Sequence, residues 1–253
     1  MATQIAFMAL LGLVLGSFLS VVAHRVPLGE SIVAPRSRCP GCGTQIAAYD
    51  NVPLFSYLAL RGRCRHCSQR VPLTYPLLEF GMAAAFVGVL LAFEDDAAEI
   101  ALGAAFVATL ATITLTDLEH RLIPNRVLVV SAVVGIAIVL AGAPDEIGER
   151  AIAAGAAFAL LFVVAILYPR GMGMGDVKLA AVMGIYLGRA VAPALLIGFA
   201  AGALYGAALI ARHGSEARKQ TVPFGPFLAL GGLVALFAGD GIVDWYVDSF
   251  FDG

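Results

Sequence analysis

Two sets of residues in this sequence could do chemistry: two aspartates at the mouths of apolar stretches, and four cysteines in two close pairs. Asp176 stands in Gly171-Met172-Gly173-Met174-Gly175-Asp176-Val177-Lys178, where a carboxylate and an ammonium sit beside glycines. An ionisable group at the end of a membrane helix is costly to keep there and points to a functional site. Asp117, in Leu115-Thr116-Asp117-Leu118-Glu119-His120, also follows a long apolar run, so the two carboxylates can meet across a helix bundle. Two carboxylates in contact share a proton. One then acts as base on a water while the other donates to a carbonyl, which is aspartic protease chemistry. Gly173, Gly175 and Lys178 are the supporting candidates. The glycines would let an extended peptide approach Asp176. The lysine would bind a carboxylate or lipid phosphate, act on the proton of the pair, or simply snorkel to the interface.

Cys39-Pro40-Gly41-Cys42 and Cys64-Arg65-His66-Cys67 are C-x-x-C pairs separated by residues 43–63, close to zinc-ribbon spacing. Four thiolates fill a tetrahedral shell and leave no position for water, so the pattern reads as structural Zn²⁺. His66 is the alternative ligand, and Arg38, Arg63 and Arg65 are placed as outer charges. Disulfides are disfavoured if this loop faces the cytoplasm.

The elements that must position these groups are membrane helices. The 253 residues are 60% hydrophobic and 13% charged, with a mean hydropathy of +0.89. These values lie far from those of a soluble domain, and nothing in them suggests nucleic-acid binding. Apolar runs at about residues 4–23, 73–93, 100–116, 127–142, 150–168, 177–188, 191–211 and 225–241 predict an all-α polytopic membrane protein. It would have about eight transmembrane helices and a small zinc-knuckle loop domain. The expected division is a first helix (1–23), a zinc-binding loop (24–72) and a membrane core (73–253). The first run has no basic residue before it and reads as a retained span, not a signal peptide. The sixth run is short and separated from the seventh only by Gly188-Arg189-Ala190.

Charge sets the expected orientation. Arg25, Arg36, Arg38, Arg61, Arg63, Arg65 and Arg70 lie between the first two runs, whereas Glu94-Asp95-Asp96-Ala97-Ala98-Glu99 follows the second. Positive loops stay inside, which places the cysteine loop in the cytoplasm and the amino terminus outside. The stretches Asp117 to Arg126, Arg170 to Lys178 and Arg212 to Lys219 then fall inside, so both aspartates lie at cytoplasmic helix ends.

With these residues on the page, the chain resembles the type IV prepilin peptidases, membrane aspartic proteases of the Gly-x-Gly-Asp type. The resemblance runs through Gly16-Ser17-Phe18-Leu19-Ser20, Arg25 and Pro27, the two cysteine pairs around Asp50-Asn51-Val52-Pro53, and Tyr75-Pro76-Leu77-Leu78-Glu79. It continues through Asp117-Leu118-Glu119-His120, Gly173-x-Gly175-Asp176 with Lys178, and Pro223-Phe224-Gly225-Pro226-Phe227. It implies that Asp117 and Asp176 are the catalytic pair and that the cysteines bind zinc. It further implies cleavage of the basic leader from prepilin or pseudopilin substrates at the cytoplasmic face of the bacterial inner membrane. N-methylation of the new terminus with S-adenosylmethionine is implied as well. The chain departs from the family pattern at Ser20, His24 and Asn125, where asparagine, tyrosine and aspartate are common.

The competing readings are an ion- or proton-coupled transporter using the same aspartates beside a broken helix, and a catalytically silent scaffold. Plainer roles stand beside the sharper ones: Asp176 as a helix cap, Asp117 as an interfacial residue held by Arg121 or Arg126, and Glu79 as a solvated helix-end carboxylate. Glu79 is alternatively a partner for substrate or methyl donor. Gly198, Gly202 and Gly206 share one helix face, which predicts tight helix packing.

Overall fold

The structure, a computed structural model, describes residues 1–94, 96–168, 171–213 and 222–251. Arg170 and Lys219, assigned above to inside loops, lie outside the described residues. Among those described there are α-helices, short 3₁₀ turns and no β-strand, as the composition predicts. The chain forms two compact units, Met1–Glu94 and Asp95–Gly253.

In the first unit α1 (Ala2–Arg25) packs antiparallel on α3 (Thr74–Ala92). Their backbones touch. A Cβ added to Gly12 would stand 2.7 Å from the Ala83 Cα, and one added to Gly16 would stand 2.9 Å from the Glu79 Cα. The intervening segment holds two cysteine hairpins, a 3₁₀ turn at Ala48–Asn51 and the short α2 (Phe55–Ala59).

The second unit contains α4 (Ala97–His120), α5 (Asn125–Gly142), α6 (Ile147–Leu167), α7 (Met174–Leu187), α8 (Val191–His213) and α9 (Gly225–Phe250). The acidic stretch before α4 is its start signal. Asp96 Oδ1 accepts from the backbone N–H of Ala98 at 2.8 Å and of Glu99 at 3.0 Å. Phe106, Ile113, Leu161, Val177, Met183 and Leu228 form the middle of a continuous buried core.

Among the described residues seven stretches are long and apolar enough to cross a membrane, and one of them, Met174–His213, has 40 residues. That is about twice the ~20 residues one span needs. A 3₁₀ turn at Gly188–Ala190 divides it, with Gly188 at φ +54°. The chain meets Gly232 of α9 at Met183, Gly239 at Ala190, Gly231 at Ala194, and Leu228 at Gly198. It therefore runs along α9 and back, and α7 and α8 form a hairpin, consistent with eight helices. At 14 residues, α7 is roughly 21 Å long, shorter than the apolar core of a bilayer. Of the predicted glycine face, Gly198 and Gly202 do pack on α9, but nothing stands within 4 Å of a Cβ at Gly206.

The two ends of this bundle differ. One end brings together Asp117, Asp176 and Gly225. At the other, Arg150 of α6 donates to Glu99 of α4 at 2.7 Å, to Glu146 at 2.9 Å and to the Tyr186 carbonyl of α7 at 2.6 Å.

Candidate active site and metal centre

Asp117 lies in the last turn of α4 and is 6% exposed; Asp176 is the third residue of α7 and is 8% exposed. Gly173 precedes α7 with extended backbone, and its N–H donates to Asp176 Oδ2 at 3.1 Å. In return the Asp176 N–H donates to the Gly173 carbonyl at 3.1 Å. The capping role considered for Asp176 is thus present, and it fixes the carboxylate at the buried mouth of the helix. Asp117 is held differently. Its Oδ2 accepts the backbone N–H of Gly225 at 2.8 Å, a bond across 108 residues of sequence, in place of the arginine partners expected from its neighbours. The two aspartates share one end of the bundle: Asp117 accepts from Gly225, and Gly175, next to Asp176, packs on Ile123 in the segment that follows α4.

The supporting candidates make distinct contacts. A Cβ at Gly175 would stand 2.9 Å from the Cβ of Ile123, so glycine lets α7 approach the segment that follows α4. Lys178 donates to the Asn125 side-chain oxygen at 2.9 Å and ties α7 to the first turn of α5. The lysine thus has a protein partner at one of the three positions where the chain departs from the family pattern.

The cysteine hairpins repeat one backbone design. Cys39 N–H donates to the Thr44 carbonyl at 2.9 Å and Cys64 N–H to the Gln69 carbonyl at 2.8 Å. Each chain then turns through a left-handed residue, Gly43 at φ +69° and Ser68 at φ +60°. The four sulfurs all lie within 4.8 Å of one another, with Cys39 and Cys67 Sγ 3.6 Å apart, and no disulfide joins them. Thiolates at about 2.3 Å from one tetrahedral ion are about 3.8 Å apart, so the cluster fits such an ion with little movement. Hydrogen bonds from the Thr44 side chain and backbone pull the Cys42 thiol down to about 6. The Cys67 and His66 backbone N–H groups lower that of Cys64. Both effects favour the metal-binding thiolate.

Glu79 departs from the plain reading of a solvated carboxylate. It is 8% exposed and accepts the Leu54 N–H at 2.9 Å. Leu54 is at φ +58°, ψ −47°, the centre of a three-residue turn closed by Phe55 N–H to the Pro53 carbonyl at 2.6 Å. Such a turn is uncommon for a residue with a side chain and costs about 1–3 kcal/mol. A hydrogen bond to a buried charge, about 1.5–3 kcal/mol, offsets it. Beside this turn is a cavity of about 560 Å³ within the first unit.

Two features escaped sequence reasoning. The Gly225 N–H appears in the sequence only as a glycine before proline after a polar segment, and the burial of Glu79 depends on the Asn51–Phe55 segment folding over α3. Only the Gly-Pro pair carried a local signal.

Residues 10–93 match the Bacterial Peptidase A24 N-terminal domain, and residues 104–207 match the Type IV leader peptidase family. A prepilin leader peptidase/N-methyltransferase of Bacillus subtilis (strain 168) is 34% identical over 96% of this chain and 98% of its own length. Proteins of the same name from Burkholderia pseudomallei (strain 1026b) and Aeromonas hydrophila are 35% and 33% identical. They cover 93% and 95% of this chain, and 86% and 93% of their own lengths. No solved structure gives a significant match.

Proposed function

The chain belongs to the type IV leader peptidase family, and on that basis we propose that it is an intramembrane aspartic endopeptidase that removes the basic leader of prepilin-like or pseudopilin proteins. Asp117 and Asp176 are its catalytic pair. The observation that supports this reading is the placement of two buried aspartates at the same end of the second unit, each anchored by a backbone N–H. One carboxylate takes a proton from water as the oxygen attacks the scissile carbonyl, the other gives its proton to the carbonyl oxygen, and the proton taken from water then passes to the leaving amine as the C–N bond breaks. The backbone N–H groups of Gly225 and Gly173 hold the carboxylates in orientation without adding a titrating group. Gly173 and Gly175 leave room for an extended substrate, and Lys178 positions α7 through Asn125.

The resemblance to bifunctional relatives supports a second activity, N-methylation of the new amino terminus with S-adenosylmethionine as donor. The four-cysteine cluster has the donor set and spacing for Zn²⁺, held by Cys39, Cys42, Cys64 and Cys67, which would order the hairpins. The arginine-rich loop supports a cytoplasmic position for this unit in the bacterial inner membrane, with the amino terminus outside. A substrate that keeps its basic leader in the cytoplasm would then present its scissile bond at the aspartate end. Placement of both aspartates at helix ends favours cleavage over transport, whose ion sites lie near the midplane.

The test is cleavage of a prepilin-like substrate in membranes by wild type, Asp117→Asn and Asp176→Asn at matched expression, with the product terminus read by mass spectrometry. Loss of cleavage in each variant is expected, and retention in both would return the transporter to first place.

A further inference from the structure

The segment between the two cysteine hairpins carries large apolar side chains on its outer face. From Val52 to Leu60 it holds no charge. It is bounded by Asp50, paired with Arg65 at 2.6 Å, and by the exposed Arg61. Ser56 and Tyr57 face the cavity, whereas Phe55 and Leu58, one helical turn apart on α2, do not line it and are 75% and 74% exposed. Neighbouring apolar side chains as bare as these mark a surface that something covers.

The depth of the segment says what covers it. With 19 residues α3 is roughly 28 Å long, barely the ~30 Å of hydrocarbon, so neither of its ends can stand far from a membrane boundary. Glu79 lies roughly 7 Å inside the start of α3 at Thr74. On α1, Gly16 packs on Glu79, and the apolar run continues for roughly another 10 Å to Ala23, before His24 and Arg25. The Leu54 turn is bonded to the Glu79 carboxylate. Tilt of that side chain toward the start of its helix takes up part of the depth, and the turn still lies within the edge of the apolar layer. Backbone at such depth must find its partners inside the protein. Besides the Leu54 N–H, that of Val52 donates to Ser56 Oγ at 3.2 Å, the Ser56 hydroxyl to the Tyr49 carbonyl at 2.9 Å, and the Ser56 N–H to the Val52 carbonyl at 3.1 Å. The chain then climbs out, since the Gly62 carbonyl accepts the N–H of Val71, ahead of α3, at 2.8 Å. Arg61 therefore stands at headgroup level.

We propose that Val52–Leu60 dips into the surface of the bilayer and that the partner of its outer face is phospholipid, with Phe55 and Leu58 among the acyl chains and Arg61 at the headgroup phosphates. The metal-binding loop is thereby held to the membrane at a place of its own, apart from the ends of α1 and α3. The Glu79–Leu54 bond has a further task in this arrangement: it satisfies a backbone N–H that water does not reach.

The test uses the full-length protein in nanodiscs of phosphatidylcholine and phosphatidylglycerol, with Trp245→Phe as the background so that each introduced tryptophan is read alone. The Phe55→Trp and Leu58→Trp variants are expected to emit blue-shifted light, to lose at least about half of it when the lipid is brominated in the upper half of its acyl chains, and to resist quenching by acrylamide. Phe80→Trp, on an exposed position of α3, and Val33→Trp, at a loop position 84% exposed, are the lipid and water references. Emission from both variants that follows the Val33→Trp reference would overturn the proposal. Shielding from both quenchers would overturn it too, since that marks a protein partner such as a second copy of the chain. So would recovery of the emission on adding a prepilin-like substrate, which marks a peptide site. Zinc content and cleavage equal to those of the Trp245→Phe parent show that a variant is folded, and where one fails the other decides. If neither folds, hydroxyl-radical footprinting of the wild type decides: oxidation of Phe55 no faster than that of Phe80 upholds the lipid contact, and oxidation well above it refutes the contact.

Discussion

Gly225 donates its backbone N–H to Asp117 Oδ2 at 2.8 Å, and a Cβ at residue 225 would stand 2.8 Å from that same oxygen. The contact that anchors one aspartate therefore also forbids a side chain on its partner. Gly225→Ala is expected to displace the carboxylate, and a misplacement of about 1 Å costs on the order of 100-fold in rate. Steady-state cleavage of a prepilin-like substrate checks this.

Arg150 ties α4, α6 and α7 together at the end opposite the aspartates. Its side chain is 9% exposed, against 27% for Glu99 and 47% for Glu146. Arg150→Met removes the charge that Glu99 faces and the donor to the Tyr186 carbonyl, so a loss of about 3–5 kcal/mol is expected. Glu146→Gln, at the exposed rim, should cost less than about 1 kcal/mol. Unfolding in mixed detergent micelles separates the two, and equal losses would show that the buried hub is not what joins these helices.

The Lys178–Asn125 hydrogen bond is a charge-to-neutral contact between α7 and α5. Asn125→Asp would make it an ion pair and should raise the melting temperature with cleavage unchanged. Lys178→Met should lower it only slightly, at a cost of less than about 1 kcal/mol, because the contact is exposed to solvent. Thermal melts of the three proteins in one detergent provide the comparison.

Below pH 9 the cysteine hairpins carry a pH dependence whose sign is set by Cys42, since the raised Cys67 thiol acts only above that value. The Cys42 thiol lies at about 6 in the folded loop against an ordinary value of 9.0. A depressed acid stabilises the fold at pH values above its unfolded pKa, and that contribution is lost as the pH falls through the folded value. In metal-free protein, order in the loop should therefore decline between pH 9 and 6. At pH 7, Cys42 should be alkylated by iodoacetamide ahead of the other three cysteines. Thr44→Val removes the side-chain hydrogen bond and should slow that reaction, as peptide mass spectrometry would show. Chelation of the metal should increase proteolysis within residues 26–73 and leave the second unit intact.

Much of this architecture was legible because membrane helices are read from local composition. A span must satisfy its backbone internally and be apolar along its length, so it reveals itself without its neighbours. The run at 127–142 became α5 at Asn125–Gly142, and that at 191–211 became α8 at Val191–His213. The last run was less well bounded: α9 continues to Phe250, because helicity persists where hydropathy fades around Asp240, Asp244 and Asp248. The cysteine pairs were equally legible, since a two-residue gap already determines that both thiolates can reach one ion.

By itself, then, the sequence determined the helices, the metal-binding spacing and the identity of both aspartates as costly groups at helix ends. The tertiary structure decided what holds them. Gly225 reaches Asp117, Asn125 accepts from Lys178, and Arg150 spans three helices, all through contacts between segments distant in the chain. The same holds for Glu79, buried because the Leu54 turn folds over it. Local pattern fixes an element and its apolar character. Which backbone N–H lies opposite a given carboxylate depends on the register of packed helices, and that register is set by the whole core together.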